Sequence, residues 1–245
     1  MIQACIDTMP GYNREHTYRR RGRHDVKQFD IAVIGMGPAG MAVSAMGAAM
    51  GLSVLAIEKD KVGGECLNCG CIPSKALLKA AGALHGAREL AAYGIDATLA
   101  LNASDPMRVV REKIRGINDK KLMKVFEKVT LVKGTAEFVD AQKIRAGDET
   151  YTAKKIFVAT GTEPFVPPIP GLREIPDILT NANMFEIERM PESLTIIGGG
   201  AIGSEMAQAF SRLGSKVAVA HMDPHLVPVG DEEAARVLES VFRRE

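Results

Sequence analysis

An α/β fold built from two nucleotide-binding units in series is predicted by three features of the sequence. Glycine-rich turns at 35–40 and 198–203 each follow a short apolar run, and each leads into a small-residue helical stretch and a second apolar run. Strand, glycine turn, helix, strand is the order of a parallel βαβ unit. Between the two units the pattern shifts to short alternating runs broken by turn residues, the mark of an antiparallel meander.

Residues 1–28 contain "NREHTYRRRGRHDVKQ", polar and without periodicity, and are expected to form a flexible tail. Asp7, Glu15 and Asp25 argue against a transit peptide, which is poor in acids. The first strand is predicted at Ile31–Ile34, a helix to about Met50, and a second strand at Ser53–Ile57 with Glu58 at its end. "KALLKAAGALHGARELAAYG" predicts a helix, and an amphipathic helix is expected from Asp105 to about Lys128. "VTLVKGTAEFVD", "KIRAG" and "TYTAKKIFVATG" predict the meander, ending in a buried strand at Phe157 and Val158. "TEPFVPPIPG" holds too much proline for either element and reads as a linker. "SLTIIGGGAIGSEMAQAFSRLGSKVAVAHMD" repeats the opening pattern about 160 residues later, and "DEEAARVLESVFRRE" predicts one more helix. The boundaries expected are 29–175 for the first domain and 176–245 for a second, incomplete one.

Composition narrows the function. A formal net charge of +1 lacks the basic excess of a nucleic-acid-binding chain. No apolar run approaches the roughly 20 residues that span a bilayer, so no membrane partner is expected. Four cysteines, three crowded into 66–71, are not the dispersed framework of a secreted disulfide scaffold, and a cytoplasmic location is expected.

Gly35-Met36-Gly37-Pro38-Ala39-Gly40 matches G-x-G-x-x-G. The first glycine permits the tight turn, the second lets the backbone approach a pyrophosphate, and the third lets helix and strand pack closely. The helix N-terminus then faces the anion. Glu58 follows at the distance where a carboxylate accepts ribose hydroxyls, with Lys59 beside it. Gly198-Gly199-Gly200-Ala201-Ile202-Gly203 has the same context. There His221 stands where an acid would select the 2′-hydroxyl of NAD, with Asp223 close by, so NAD and NADP both stay open.

Cys66, Cys69 and Cys71 admit three readings. As zinc ligands they lack a fourth donor and a second pair, and no metal is expected. As inert buried thiols, Cys69 and Cys5 fit better than Cys66 and Cys71. As a redox pair, Cys66 and Cys71 are five apart and lie on different faces of an undistorted helix. Gly70 and Pro73 supply the irregularity a disulfide between them needs. A helix running on from Pro73 directs its positive end at Cys71, and Lys75 adds a cation, both favouring thiolate.

"GGECLNCGCIPSKALL", the two glycine turns and "VATGTEP", in this order, resemble the FAD-dependent pyridine nucleotide–disulfide oxidoreductases over residues 29–245. "CIPSKALL" looks most like dihydrolipoyl dehydrogenase and mercuric-reductase-like members. The resemblance implies an FAD-binding Rossmann-like domain with a meander, then part of an NAD(P)-binding one. It implies FAD contacts from Gly35, Gly37, Pro38, Ala39, Gly40, Glu58, Lys59, Gly64, Gly134, Ala136, Thr160 and Gly161. It implies that Gly198, Gly200, Ala201, Ile202, Gly203 and His221 hold the nicotinamide nucleotide. Cys71 becomes the thiolate against the flavin and Cys66 the interchange thiol. Lys75 lies near the flavin and pairs with Glu205. The substrate is a small dithiol or disulfide, dihydrolipoamide first and mercuric ion second. Cys69 departs from the usual apolar or small residue. The family pattern continues past residue 245 into a dimerisation domain carrying a His–Glu pair, so this chain corresponds to a front half of a homodimeric enzyme. The other expectation is a nucleotide-binding protein without turnover.

Overall fold

The computed structural model describes residues 26–95, 106–118 and 123–245. Cys5 and most of the expected tail lie outside these residues. Strand β1 (Lys27–Ile34) begins inside the segment expected to be tail, because Lys27 and Gln28 already pair with Tyr151 and Thr152. It runs into the first glycine turn, helix α1 (Pro38–Ala49) and strand β2 (Val54–Glu58). Two helices follow, a five-residue α2 (Gly64–Asn68) and a long α3 (Cys71–Glu89).

Helix α4 spans Pro106–Asn118, and a 3-10 turn at Met123–Phe126 follows. The helix expected to reach about Lys128 therefore stops earlier; its Asp105 start and residues 119–122 lie outside the described residues. Strand β3 (Val129–Lys133) pairs in parallel with β2. This corrects the expectation that "VTLVK" belongs to the meander: coming out of a helical crossover, the strand extends the parallel sheet. The antiparallel part comprises β4 (Ala136–Asp140), β5 (Lys143–Ala146) and β6 (Glu149–Val158). Strand β6 also runs parallel to β1, giving one mixed sheet in the order β3-β2-β1-β6-β5-β4.

Phe157 and Val158, expected to be buried, are 42% and 63% exposed. They pair by backbone with Val33 and Ile34, so the strand is there, but its buried side chains are Tyr151 and Ala153 nearer its start.

The sheet alternates its side chains between two cores, as period-2 geometry requires. Val33, Val54 and Ala56 pack with Met36 and Ala48 on the α1 side, while Ala32, Ile34, Leu55 and Ile57 meet Ile144 and Tyr151 on the other. Both faces of β2 are covered, which is why it reads as an unbroken apolar run. Burying Leu55 or Ile57 contributes about 2 kcal/mol each.

Among the described residues a second sheet holds β7 (Ser193–Ile197) and β8 (Lys216–Ala220), parallel and joined through helix α5 (Ala201–Arg212). The chain closes with α6 (Glu232–Arg244), capped by the Asp231 carboxylate, which accepts from the backbone N–H groups of Glu233 and Ala234. A third core crosses the boundary expected at residue 175: Leu77 and Ala81 of α3 and Met107 and Val110 of α4 pack against Met206, Ala209 and Phe210 of α5.

Candidate redox and dinucleotide site

The first glycine turn sits in a cradle made almost wholly of backbone. Gly35 has φ +95°, and a β-carbon there would lie 2.3 Å from the Ala159 carbonyl oxygen and 3.2 Å from Thr160 Cα. Gly64 (φ +54°) lies so close to the turn that a β-carbon on it would come within 2.6 Å of Gly37 Cα. The Gly63 N–H donates to the Met36 carbonyl at 2.7 Å, and the Gly134 N–H to the Glu58 carbonyl at 2.9 Å. Gly35, Gly37, Gly64, Gly134, Thr160 and Glu58 are thus gathered at one end of the parallel strands, where α/β sheets bind ligands. Ala136 starts the next strand, and Lys59 is exposed beside Glu58. Pro38 and Ala39 open α1 exposed. Proline lacks an N–H that the first helical position cannot bond internally anyway, and the N–H groups that follow are free to meet an anion. A pyrophosphate fits this cradle: no side chain fills it, and a helix N-terminus points into it.

Glu58 is braced before any ligand arrives. Its carboxylate accepts the Met36 N–H at 2.7 Å and the Asp60 N–H at 2.8 Å, which joins the end of β2 to the turn.

The cysteines lie next to this cradle. Helix α2 starts from Gly63 in the left-handed region (φ +98°), and Asn68 Nδ2 ties its end back to the Gly64 and Val62 carbonyls. Cys69 ends α2, Gly70 breaks the path, and α3 begins at Cys71 rather than near Pro73. The backbone leaves helical angles at Cys69 and Gly70, and a β-carbon on Gly70 would meet the Glu65 carbonyl at 3.0 Å and Cys66 Cα at 3.3 Å. Pro73 lies buried in the first turn of α3, where it is tolerated. All three thiols are free, and Cys71 is the neighbour that bears most on the Cys66 thiol. The Cys71 thiol first, then burial, raise the Cys66 thiol above the usual range, and the Glu65 carboxylate adds the smallest part; the Cys71 backbone N–H, at the helix start, opposes them. Burial, followed by Glu65, raises Cys69 as well. Among the described residues no three His, Cys, Asp or Glu side chains converge to hold a metal.

Lys75 Nζ donates to both carboxylate oxygens of Glu205 at 2.6 Å, linking α3 to α5 across 130 residues.

The second turn copies the first. Gly198 has φ +101°, Gly200 caps α5 with the backbone angles of Gly37, and a β-carbon on Gly203 would lie 2.0 Å from the Gly198 carbonyl oxygen. Ala201 and Ile202 open the helix exposed. Here His221 takes the place of Glu58. Its Nδ1 accepts the Gly199 N–H at 3.0 Å, and its Nε2 lies 3.0 Å from the His225 carbonyl oxygen, which only accepts. The ring is therefore neutral, with its proton on Nε2. A β-carbon on Gly199 would come within 2.5 Å of Leu226 Cδ2 and 3.0 Å of the His221 ring, which accounts for the middle glycine of the three.

The profile of the pyridine nucleotide-disulphide oxidoreductase family matches residues 29–245. This chain belongs to that family. Members of the family are oxidoreductases that use FAD and NAD(P). The dihydrolipoyl dehydrogenase of Thermus scotoductus is 38% identical over 225 residues, covering 90% of this chain and 48% of that protein. The mercuric reductase of Streptomyces lividans is 36% identical, covering 89% and 47%. A solved structure, the Cu(II) complex of the HOCl-induced flavoprotein disulfide reductase RclA from Escherichia coli, superposes with TM-score 0.75 at 26% identity. It is matched over 89% of this chain and 48% of its own. The chain thus spans about half the length of the family relatives it matches.

The sequence reading missed Gly63, Glu65, Asn68, Thr162 and Asn181. The doubled glycine before Glu65 was a legible sign for Gly63. Nothing in the sequence pairs Glu65 with Asn181, 116 residues away, whose Nδ2 donates to Glu65 Oε1 at 2.6 Å.

Proposed function

We propose that this chain is the nucleotide-binding and dithiol-bearing part of an FAD-dependent NAD(P)–disulfide oxidoreductase of the dihydrolipoyl dehydrogenase kind. The observation that carries the reading is the placement of Cys66 and Cys71, on either side of the break between α2 and α3, immediately beside the backbone cradle at Gly37 and Gly64. The first turn, with Glu58, Lys59, Gly134, Ala136, Thr160 and Gly161, would hold FAD. The second turn would hold the nicotinamide nucleotide. FAD, when bound, supplies the two-electron exchange between a hydride donor and a thiol pair.

The chain's own residues do the rest. The N-termini of α1 and α5 receive the pyrophosphates, and Glu58 presents a fixed carboxylate to a ribose. Lys75, gripped by Glu205, keeps a cation one helical turn beyond Cys71. Toward a disulfide substrate, the Cys66 thiolate attacks one sulfur and the other leaves with a proton. The Cys71 thiolate then attacks Cys66 sulfur, closing the Cys66–Cys71 disulfide and releasing the second substrate thiol. A dihydrolipoamide-type dithiol runs the same exchange backwards, leaving Cys66 and Cys71 reduced. His221 spends its one acceptor on Gly199 and offers no carboxylate, so either NAD or NADP suits the second turn. Free thiols of this kind suit a reducing compartment such as the cytoplasm. A homodimer, which the family resemblance implies, is the assembly we propose for the whole enzyme.

Mild oxidation followed by peptide mapping tests the pairing. Cys66 and Cys71 are expected in one linked peptide with Cys69 open to alkylation; a Cys66–Cys69 link would overturn the assignment. Oxidation of NADH and NADPH against lipoamide, glutathione disulfide and mercuric ion ranks the substrates, lipoamide being expected first. The mercuric reductases among the relatives, with the third thiol at Cys69, support mercuric ion as the second reading.

A further inference from the structure

Glu65 directly precedes Cys66 on α2, yet its carboxylate is held by two segments far away in the chain. Asn181 Nδ2 donates to Oε1 at 2.6 Å, and Thr162 Oγ1 donates to Oε2 at 3.4 Å. Thr162 belongs to the loop that lines the glycine cradle, and Asn181 to the segment leading into the second unit. Both partners are neutral donors, and among the described residues no cation pairs with this carboxylate. Glu205 occupies Lys75, the cation nearest along α3. The other charged groups that bear on this cluster, Lys61 and Asp60, act on Cys69 with opposite signs.

We infer that Glu65 is a positioning residue: clamped by Asn181 and Thr162, it holds the first turn of α2 so that Cys66 is presented to Cys71 rather than to Cys69. Its carboxylate opposes a negative charge on either neighbouring thiol, in keeping with the raised Cys66 and Cys69. Cys69 caps the end of α2, three residues after Cys66, and is the competing partner for it. The clamp on the first turn of α2 decides between them.

The inference rests on the Cys66–Cys71 pair proposed above, and its test separates the two. The reduced protein is alkylated with iodoacetamide from pH 6 to 10, and modification of the Cys66 peptide is followed by mass spectrometry. Glu65→Gln keeps the shape and an acceptor for Asn181 but removes the charge. It is expected to lower the Cys66 alkylation midpoint by about half a pH unit, a roughly threefold larger thiolate fraction at neutral pH. Asn181→Ala keeps the charge but frees it from its anchor. On limited oxidation it is expected to raise the yield of Cys66–Cys69 relative to Cys66–Cys71 at least twofold. If the wild type forms Cys66–Cys71 while neither variant changes midpoint or partition, the role of Glu65 is overturned and the pair stands. If the wild type does not form Cys66–Cys71, the pair itself fails. Thermal melts show that each variant is folded before it is scored.

Discussion

A β-carbon added at Gly40 would sit 1.8 Å from the Gly35 carbonyl oxygen, so α1 reaches the end of β1 only because that position is bare. Gly40→Ala is expected to destabilise the protein by about 3 kcal/mol, read from urea unfolding, and to lower FAD retention in parallel. Gly86 is the contrast. It lies exposed within α3, with nothing within 4 Å of an added β-carbon, and Gly86→Ala is expected to stabilise by about 1 kcal/mol in the same measurement. The residue scale also shows two chemistries meeting one need. Glu58 and His221 each accept the N–H of the second residue in their glycine turn. The carboxylate has lone pairs to spare for a ribose after doing so; the imidazole does not. That difference, rather than the glycine pattern, separates the two glycine turns.

At the scale of elements, Asp30 ties three strands together. Its carboxylate accepts the backbone N–H and the hydroxyl of Ser53, just before β2, and the ammonium of Lys154 on β6. The bond from Lys154, then those from Ser53, hold this carboxyl well below the usual range. Its contribution to stability is therefore present above about pH 4, the unfolded value, and is lost as pH falls through the folded one. On the same sheet Tyr151 donates to Glu149 at 2.7 Å, and burial followed by that carboxylate pushes the phenol well above its ordinary value. This contribution has the opposite sign: it is complete below about pH 10 and is lost as the phenol ionises. Urea midpoints are expected to fall on both the acid and the alkaline side, and Asp30→Asn to flatten the acid limb only. An acid limb unchanged by Asp30→Asn would place the effect elsewhere.

The molecule as a whole is joined by the core between α3, α4 and α5, not by the linker. Phe210 is fully buried there among residues from both sides of the boundary at 175. Phe210→Ala is expected to cost about 4 kcal/mol and to lower the unfolding of both units together, giving one transition by circular dichroism. Two separate transitions would show that the units fold independently. The Lys75–Glu205 pair spans the same junction but is largely exposed, so its worth to stability is about 1 kcal/mol at most. Its significance lies in orientation: it binds the helix that carries Cys71 to the helix that opens at the second glycine turn.

The sequence by itself determined the two βαβ units, the glycine turns and the thiol cluster, because strand period, helix period and the steric demands of glycine act over a few neighbouring residues. It overreached where burial or pairing depends on distant segments. β3 joined the parallel sheet, Phe157 and Val158 proved exposed, and α3 began at Cys71 because the backbone leaves helical angles at Cys69 and Gly70, not at Pro73. Only the tertiary structure decided that Cys71 is the thiol bearing most on Cys66, and that Glu65 is held by Thr162 and Asn181. It alone also decided that His221 faces its own turn. Hydrogen bonds between residues scores of positions apart leave no periodic trace in a chain; they exist only once packing has brought the donors to the acceptors.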